Sequence, residues 1–181
     1  TNKVFSETYA NLDQLLREAR FLESSFDSMV VILSRNERIR NHTPSISPVN
    51  GKSWSSSGFG YRPDPFTGQR QFHNGLDIAG RSGTEIIATA DGVVARIGKD
   101  KQLGFYVAID HQIGYRTVYG HLKGWPLVKK GQKIRRGEIL GKMGRSGRAT
   151  ATHVHYSIVR NKRAINPEFY IFNQKGQTVI F

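Results

Sequence analysis

The sequence predicts a mainly β protein, an antiparallel β-sheet preceded by one N-terminal α-helix. Three observations carry that prediction. Short runs of alternating apolar and polar residues recur after residue 50, glycines (19 in the chain) separate them, and the first forty residues keep a different period. With 38% hydrophobic residues, the chain has the composition of a folded domain rather than a disordered one.

In the first segment, apolar residues recur at Phe5, Tyr9, Leu12, Leu16, Ala19, Phe26, Val30 and Leu33 in alternating steps of four and three. Glu23 falls on that stripe and Leu22 flanks it. The pattern makes residues 1–40 an amphipathic, heptad-like helix. Two uses fit it equally: a helix folded onto its own domain, or the end of a longer coiled coil that dimerises or spaces the folded domain. Next comes Asn41-His42-Thr43-Pro44-Ser45-Ile46-Ser47-Pro48-Val49-Asn50-Gly51, whose prolines and turn residues predict a linker over 41–53. Residues 54–181 then form the folded domain, with strands expected near 57–61, 72–79, 85–98, 104–111, 115–122, 132–135, 139–144 and 153–160.

Three of these strands bring polar groups to one surface. In His153-Val154-His155-Tyr156-Ser157-Ile158, alternation aims His153, His155 and Ser157 one way and the apolar residues the other. Likewise, His73-Asn74-Gly75-Leu76-Asp77-Ile78 places His73, Gly75 and Asp77 on one face, with Leu76 and Ile78 behind. Along Tyr115-Arg116-Thr117-Val118-Tyr119-Gly120-His121, the odd-numbered residues share a face that ends in His121. Two imidazoles and a carboxylate suit zinc, and three protein ligands leave a fourth tetrahedral position for water, the arrangement of a catalytic site. A closed thiolate site is excluded because the chain has no cysteine. Of the remaining histidines, His42 falls in the linker and His111 follows Asp110 at a turn; neither is assigned a role.

These residues resemble the lysostaphin and LytM-like zinc endopeptidases that cut the peptide part of bacterial cell walls. His73 and Asp77 match the family's His-x-x-x-Asp element, His153 and His155 its His-x-His element, and His121 its isolated histidine. The likeness extends through Ser57-Gly58-Phe59-Gly60-Tyr61-Arg62 with Asp64-Pro65, Gly83-Thr84, Ala90-Asp91-Gly92-Val93-Val94 and Asn166-Pro167, over about residues 49 to 172. No metal or histidine position departs from the pattern. The resemblance implies a catalytic domain with a cleft, of the duplicated-hybrid-motif type. It also implies one Zn2+ held by His73, Asp77 and His155, with His121 and His153 as catalytic residues. Zinc bound by one carboxylate and two imidazoles keeps a net positive charge, which acidifies water and polarises the scissile carbonyl. His121 and His153 would take the water's proton, stabilise the oxyanion or protonate the leaving amine; the sequence leaves open which does which. Thr152 and Ser157 are candidate supporting donors, although both read more simply as ordinary strand residues.

A serine nucleophile finds no support, because Gly144-Arg145-Ser146-Gly147 lacks the Gly-x-Ser-x-Gly elbow and reads as a turn lining the cleft. Nor is there a phosphate-binding glycine loop. Through His42 the chain carries six Lys or Arg and six Asp or Glu, so its formal +13 belongs to the remainder. Lys129, Lys130, Lys133, Arg135, Arg136, Lys142, Arg145 and Arg148 are expected beside the cleft, where they would favour an anionic partner such as wall glycopeptide. Without a recognisable binding motif, a specific nucleic-acid partner is not expected.

No run of about 18 or more apolar residues is present. The resemblance places the protein in the bacterial cell envelope, periplasm or cell surface, with a membrane anchor expected upstream of the helix. It leaves two functions as expectations: an endopeptidase acting on peptidoglycan peptides, or a non-catalytic wall-binding module that activates a hydrolase. In either, the helix would serve a homodimer or a partner protein.

Overall fold

Short alternating runs become strands here, and turn residues cut three of the expected runs. The computed structural model describes residues 2–171, apart from the side chains of residues 2–11 and 13; residues 172–181 of the expected domain, and Phe5 and Tyr9 of the expected stripe, lie outside that description. In order, the elements are α1 (Asn2–His42), β1 (Val49–Asn50), β2 (Ser53–Ser57), β3 (Gly60–Pro63), β4 (Arg70–His73), β5 (Leu76–Gly80), β6 (Glu85–Ile87), β7 (Gly92–Asp100), β8 (Gly104–Asp110), β9 (Tyr115–Leu122), β10 (Lys133–Ile134), β11 (Ile139–Lys142), β12 (His153–Arg160) and β13 (Arg163–Ile165). A 3-10 turn comes after them at Pro167–Tyr170, capped by the Asn166 side chain on Glu168 N.

The chain divides into two units, Thr1–Arg40 and Asn41–Phe181. In the first, the helical stripe is exposed along its described length: Leu12, Leu16, Phe26, Val30 and Leu33 all face solvent, as do Leu15, Leu22 and Met29 alongside. No helix among the described residues is long and apolar enough to cross a membrane.

The second unit is an antiparallel sheet in the order β10-β7-β8-β9-β12-β5-β2, with β13 paired to β12. A three-stranded sheet β1-β6-β11 and the hairpin β3-β4 complete it. Val154, Tyr156 and Ile158 of β12 are fully buried against Leu76 and Ile78 of β5 and Tyr119 of β9, the alternation read from the sequence. Each fully buried aliphatic side chain contributes about 1.5–3 kcal/mol. His155 pairs with Asp77 on one flank and Gly120 on the other.

Several expectations need correction. The run 72–79 is two strands, since β4 ends at His73 and β5 begins at Leu76; His73 and Asp77 therefore do not share one strand's face. The run 85–98 likewise breaks between β6 and β7, and the run 57–61 between β2 and β3. Residues 41–53 are not a free connection: Ser45 N donates to Thr89 O, and Val49 is buried and paired with Ile86. The guanidinium of Arg136 also donates to the Asn41 and Thr43 carbonyls. The alternation expected over 115–121 holds only to Tyr119, which is buried, whereas Val118 lines an open groove on the other face. Between Tyr119 and Leu122, β9 carries one residue more than β8, and His121 adopts φ +60°. This bulge turns His121 away from the core face that strict alternation would give it.

His111 proves to be a core residue. Its Nδ1 donates to Asp91 O at 2.7 Å, and its Nε2 lies 2.8 Å from the Thr117 hydroxyl. From Thr117 the polar contacts run to Tyr119, then Thr89, then Tyr156, all buried. Burial pushes the His111 pKa down to about 4, so the ring is neutral at pH 7. An unfolded chain, with its histidine near 6.5, takes up a proton between those values and the folded one does not; stability is therefore lost as pH falls through that window. The full loss from this residue is about 3 kcal/mol. We expect His111→Gln, which cannot titrate, to lose about 2 kcal/mol less than the wild type between pH 7 and pH 4.5 in denaturant titrations. Parallel stability curves for the two proteins would contradict the assignment.

Candidate metal centre

The five expected site residues come together from four strands. His73 closes the β3–β4 hairpin, Asp77 stands on β5, and His153 and His155 lie on β12. His121 arrives from the bulge in β9. They sit in a groove of about 880 Å³ whose walls include Arg62, Phe66 and Phe72 from the hairpin region and Arg148, Thr150 and Thr152 from the segment before β12.

Three potential ligand atoms converge. His155 Nδ1 is 2.9 Å from Asp77 Oδ1, and His73 Nε2 is 3.1 Å from each of them. His73 Nδ1 lies 2.7 Å from the Gly58 carbonyl and must donate to it, so the neutral ring presents a bare lone pair at Nε2. Lone pairs facing one another at this range need a cation or extra protons between them. Zinc bonds of about 2.0–2.1 Å at the tetrahedral angle would space ligand atoms about 3.3 Å apart, so a small opening of this cluster fits the ion. His73, Asp77 and His155 are the residues suited to hold a metal, and each is buried.

Burial alone would raise the Asp77 pKa, but hydrogen bonding to His155 and His73 and their charge outweigh it and hold the carboxyl well below the ordinary range. Asp77 is therefore ionised at neutral pH. Gly75 permits the approach: a Cβ there would lie 2.6 Å from His155 Cε1 and 2.7 Å from Tyr156 O.

His121 and His153 stand beside the cluster with ring centroids 4.6 Å apart. Each has one nitrogen committed to a carbonyl: His121 Nδ1 donates to Ser146 O at 2.8 Å, and His153 Nδ1 to Ala151 O at 2.9 Å. Both therefore keep Nε2 for other partners, and His153 Nε2 is 3.7 Å from Asp77 Oδ1. Burial first, then the neighbouring His153, lowers the His121 pKa to about 4.

Ser146 is legible in the sequence only as part of a glycine-rich turn. Its hydroxyl donates to Leu122 O and accepts from Phe105 N, while its carbonyl orients His121; it is a positioning residue, not a nucleophile. Gly104 and Gly147 pack so closely that neither admits a Cβ, and both have positive φ. Two further contacts join distant segments: Arg62 Nη2 to Asp77 Oδ2 at 3.1 Å, and Arg148 Nη2 to Asp64 Oδ1 at 2.6 Å. Thr152 and Ser157 line the groove. Of the eight basic residues expected beside it, only Arg148 is among its lining residues; β10, with Lys133, forms the far edge of the sheet.

Residues 71–167 match the model of peptidase family M23. The chain is 41% identical over 120 residues to the peptidoglycan DD-endopeptidase ShyA of Vibrio cholerae, covering 66% of this chain and 28% of that one. Over 112 residues it is 38% identical to the DD-carboxypeptidase/endopeptidase Mpg of Neisseria meningitidis serogroup B, covering 62% and 26%. It thus spans little more than a quarter of these relatives' lengths. Among solved structures, a zinc containing peptidase from Vibrio cholerae superposes with TM-score 0.60 at 35% identity, covering 70% of this chain and 38% of that one. The catalytic domain of lysostaphin from Staphylococcus simulans gives TM-score 0.56 at 29% identity, covering 64% and 88%. The matched segment contains all five clustered residues, and the chain belongs to peptidase family M23.

Proposed function

We propose that the unit from Asn41 onward is a zinc-dependent endopeptidase that hydrolyses amide bonds in peptidoglycan stem peptides or cross-links, in the bacterial cell envelope. The observation that carries this reading is the convergence of His73 Nε2, Asp77 Oδ1 and His155 Nδ1 beside two further imidazoles in an open groove. The relatives named as peptidoglycan DD-endopeptidases support the substrate class.

In this proposal His73, Asp77 and His155 hold one Zn2+. The ion supplies Lewis acidity toward the scissile carbonyl and makes water a better acid. The remaining work falls to His121 and His153. Both offer an unprotonated Nε2 when neutral, so either can take the proton that water gives up as its oxygen bonds the carbonyl carbon. Their ring centroids lie 4.6 Å apart, so a proton taken up by one ring is within reach of the groups the other faces. An imidazolium at His121, whose pKa lies near 4, is a strong acid that readily passes its proton to the amine nitrogen as the C–N bond breaks. The exposed stripe on α1 supports a helical partner, either a second copy or another wall protein.

Zinc-loaded protein incubated with purified cell walls should release peptides with new amino termini, detected by mass spectrometry; no release from walls of either Gram type would end the proposal. His155→Ala should lose zinc. By contrast, His121→Ala and His153→Ala should keep stoichiometric zinc while turnover falls about 10²–10⁴-fold, as for loss of a proton-transfer group. Gly75→Ala should weaken zinc binding by about tenfold or more in chelator competition, because its Cβ displaces the His155 ring. Unaltered affinity there would show that His155 does not ligate from this position.

A further inference from the structure

The two oxygens of Asp77 have different partners. Oδ1 faces the imidazoles of His73 and His155, whereas Oδ2 accepts from Arg62 Nη2 at 3.1 Å. Arg62 lies on β3, in the same hairpin that ends in His73. That hairpin is thus tied to Asp77 twice, once through each oxygen. Arg62 Nε is buried with no hydrogen-bond partner among the described residues. An unmet buried donor is unfavourable, so the charged contact with Asp77 must outweigh it for the guanidinium to stay.

We propose that Arg62 is a positioning residue for the metal centre: by occupying Oδ2 it restricts Asp77 to ligation through Oδ1. The proposal rests on the reading of His73, Asp77 and His155 as zinc ligands. A carboxylate free at both oxygens can swing to offer two, which would fill space otherwise left for water or a substrate carbonyl. Arg62 prevents that rotation and keeps Oδ1 facing His73 and His155. An ion then meets a carboxylate already set in place, and the affinity that would otherwise go into ordering it is retained. Because only one arginine nitrogen reaches Asp77, an ammonium group can supply the same single bond.

The test measures zinc affinity by chelator competition and the visible spectrum of the cobalt(II)-loaded protein, for wild type, Arg62→Met and Arg62→Lys. Wild type should bind zinc and give the intense bands of four-coordinate cobalt. Arg62→Met should bind zinc about 10- to 100-fold more weakly and give the fainter bands of a higher coordination number, as Oδ2 comes free. Arg62→Lys should stay close to wild type on both readouts. A wild type that binds no zinc overturns the zinc reading itself, and this inference with it. If wild type binds and Arg62→Met matches it in affinity and spectrum, the role of Arg62 alone is overturned. Should the methionine variant fail to fold, the lysine variant decides: a loss of about tenfold or more there shows that arginine's packing, rather than its bond to Oδ2, is what matters.

Discussion

The register of β12 is the constraint on which the rest of the site depends. His155 pairs with Asp77 of β5 on one side and with Gly120 of β9 on the other, so one position in one strand joins the carboxylate to the segment carrying His121. A slip of one residue would turn His155 into the core and bring Val154 or Tyr156 to the groove. That slip is opposed from behind by Val154, Tyr156 and Ile158, all fully buried. The apolar face thus holds the face carrying His153 and His155 in register, and burial at three positions does what no contact within the site could do.

The same core face carries a polar chain. Tyr156 and Tyr119, neighbours of His155 and Gly120 along their strands, meet through Thr89, and the chain continues through Thr117 to His111. Apolar packing alone tolerates small shifts along the strand direction. Buried hydroxyls do not, since each displaced partner leaves an unmet polar group. His111 is therefore tied to the site although it stands away from it: it completes the hydrogen bonding of the strand that positions His121.

Whatever depends on near neighbours is legible in the sequence. Alternation in β12 needs only the chain itself, and the motif spacing marks His73, Asp77, His121, His153 and His155 without any knowledge of contacts. Alternation nevertheless groups His73 with Asp77 for the wrong reason. They meet because Asn74 and Gly75 break the run and fold the hairpin's end back onto β5, and Gly75 leaves room for the His155 ring. His121 is similar: strict alternation sends it to the face of Tyr119, and only the extra residue in β9 and a left-handed backbone bring it round. Ser146, Arg62 and the pairing of Asp64 with Arg148 act across 15 to 84 residues of sequence, and although the motif marks Arg62 and Asp64, nothing local shows what they touch. The basic residues around 129–136 lie near the groove's loop in sequence but not in space, because β10 is on the opposite edge of the sheet.

Floor and walls of the groove are built by different means, which separates chemistry from selectivity. The floor is strand, and its side chains are placed by ladder register and a packed core. The walls lie largely outside the main sheet. The turn of the β3–β4 hairpin is organised by Asp64, whose Oδ1 accepts from Phe66 N, Thr67 N and the Thr67 hydroxyl, and also from Arg148 in the segment before β12. The Arg148 guanidinium stands 4.5 Å from the centre of the Phe66 ring, so a single side chain joins both wall segments. Phe66, Thr150 and Thr152 lie on the walls, away from the pairing of His155 with Asp77, whereas a side chain at Gly75 would run into the His155 ring and the Tyr156 carbonyl. A fold arranged in this way can hold the cluster of His73, Asp77 and His155 fixed while the walls of the groove vary.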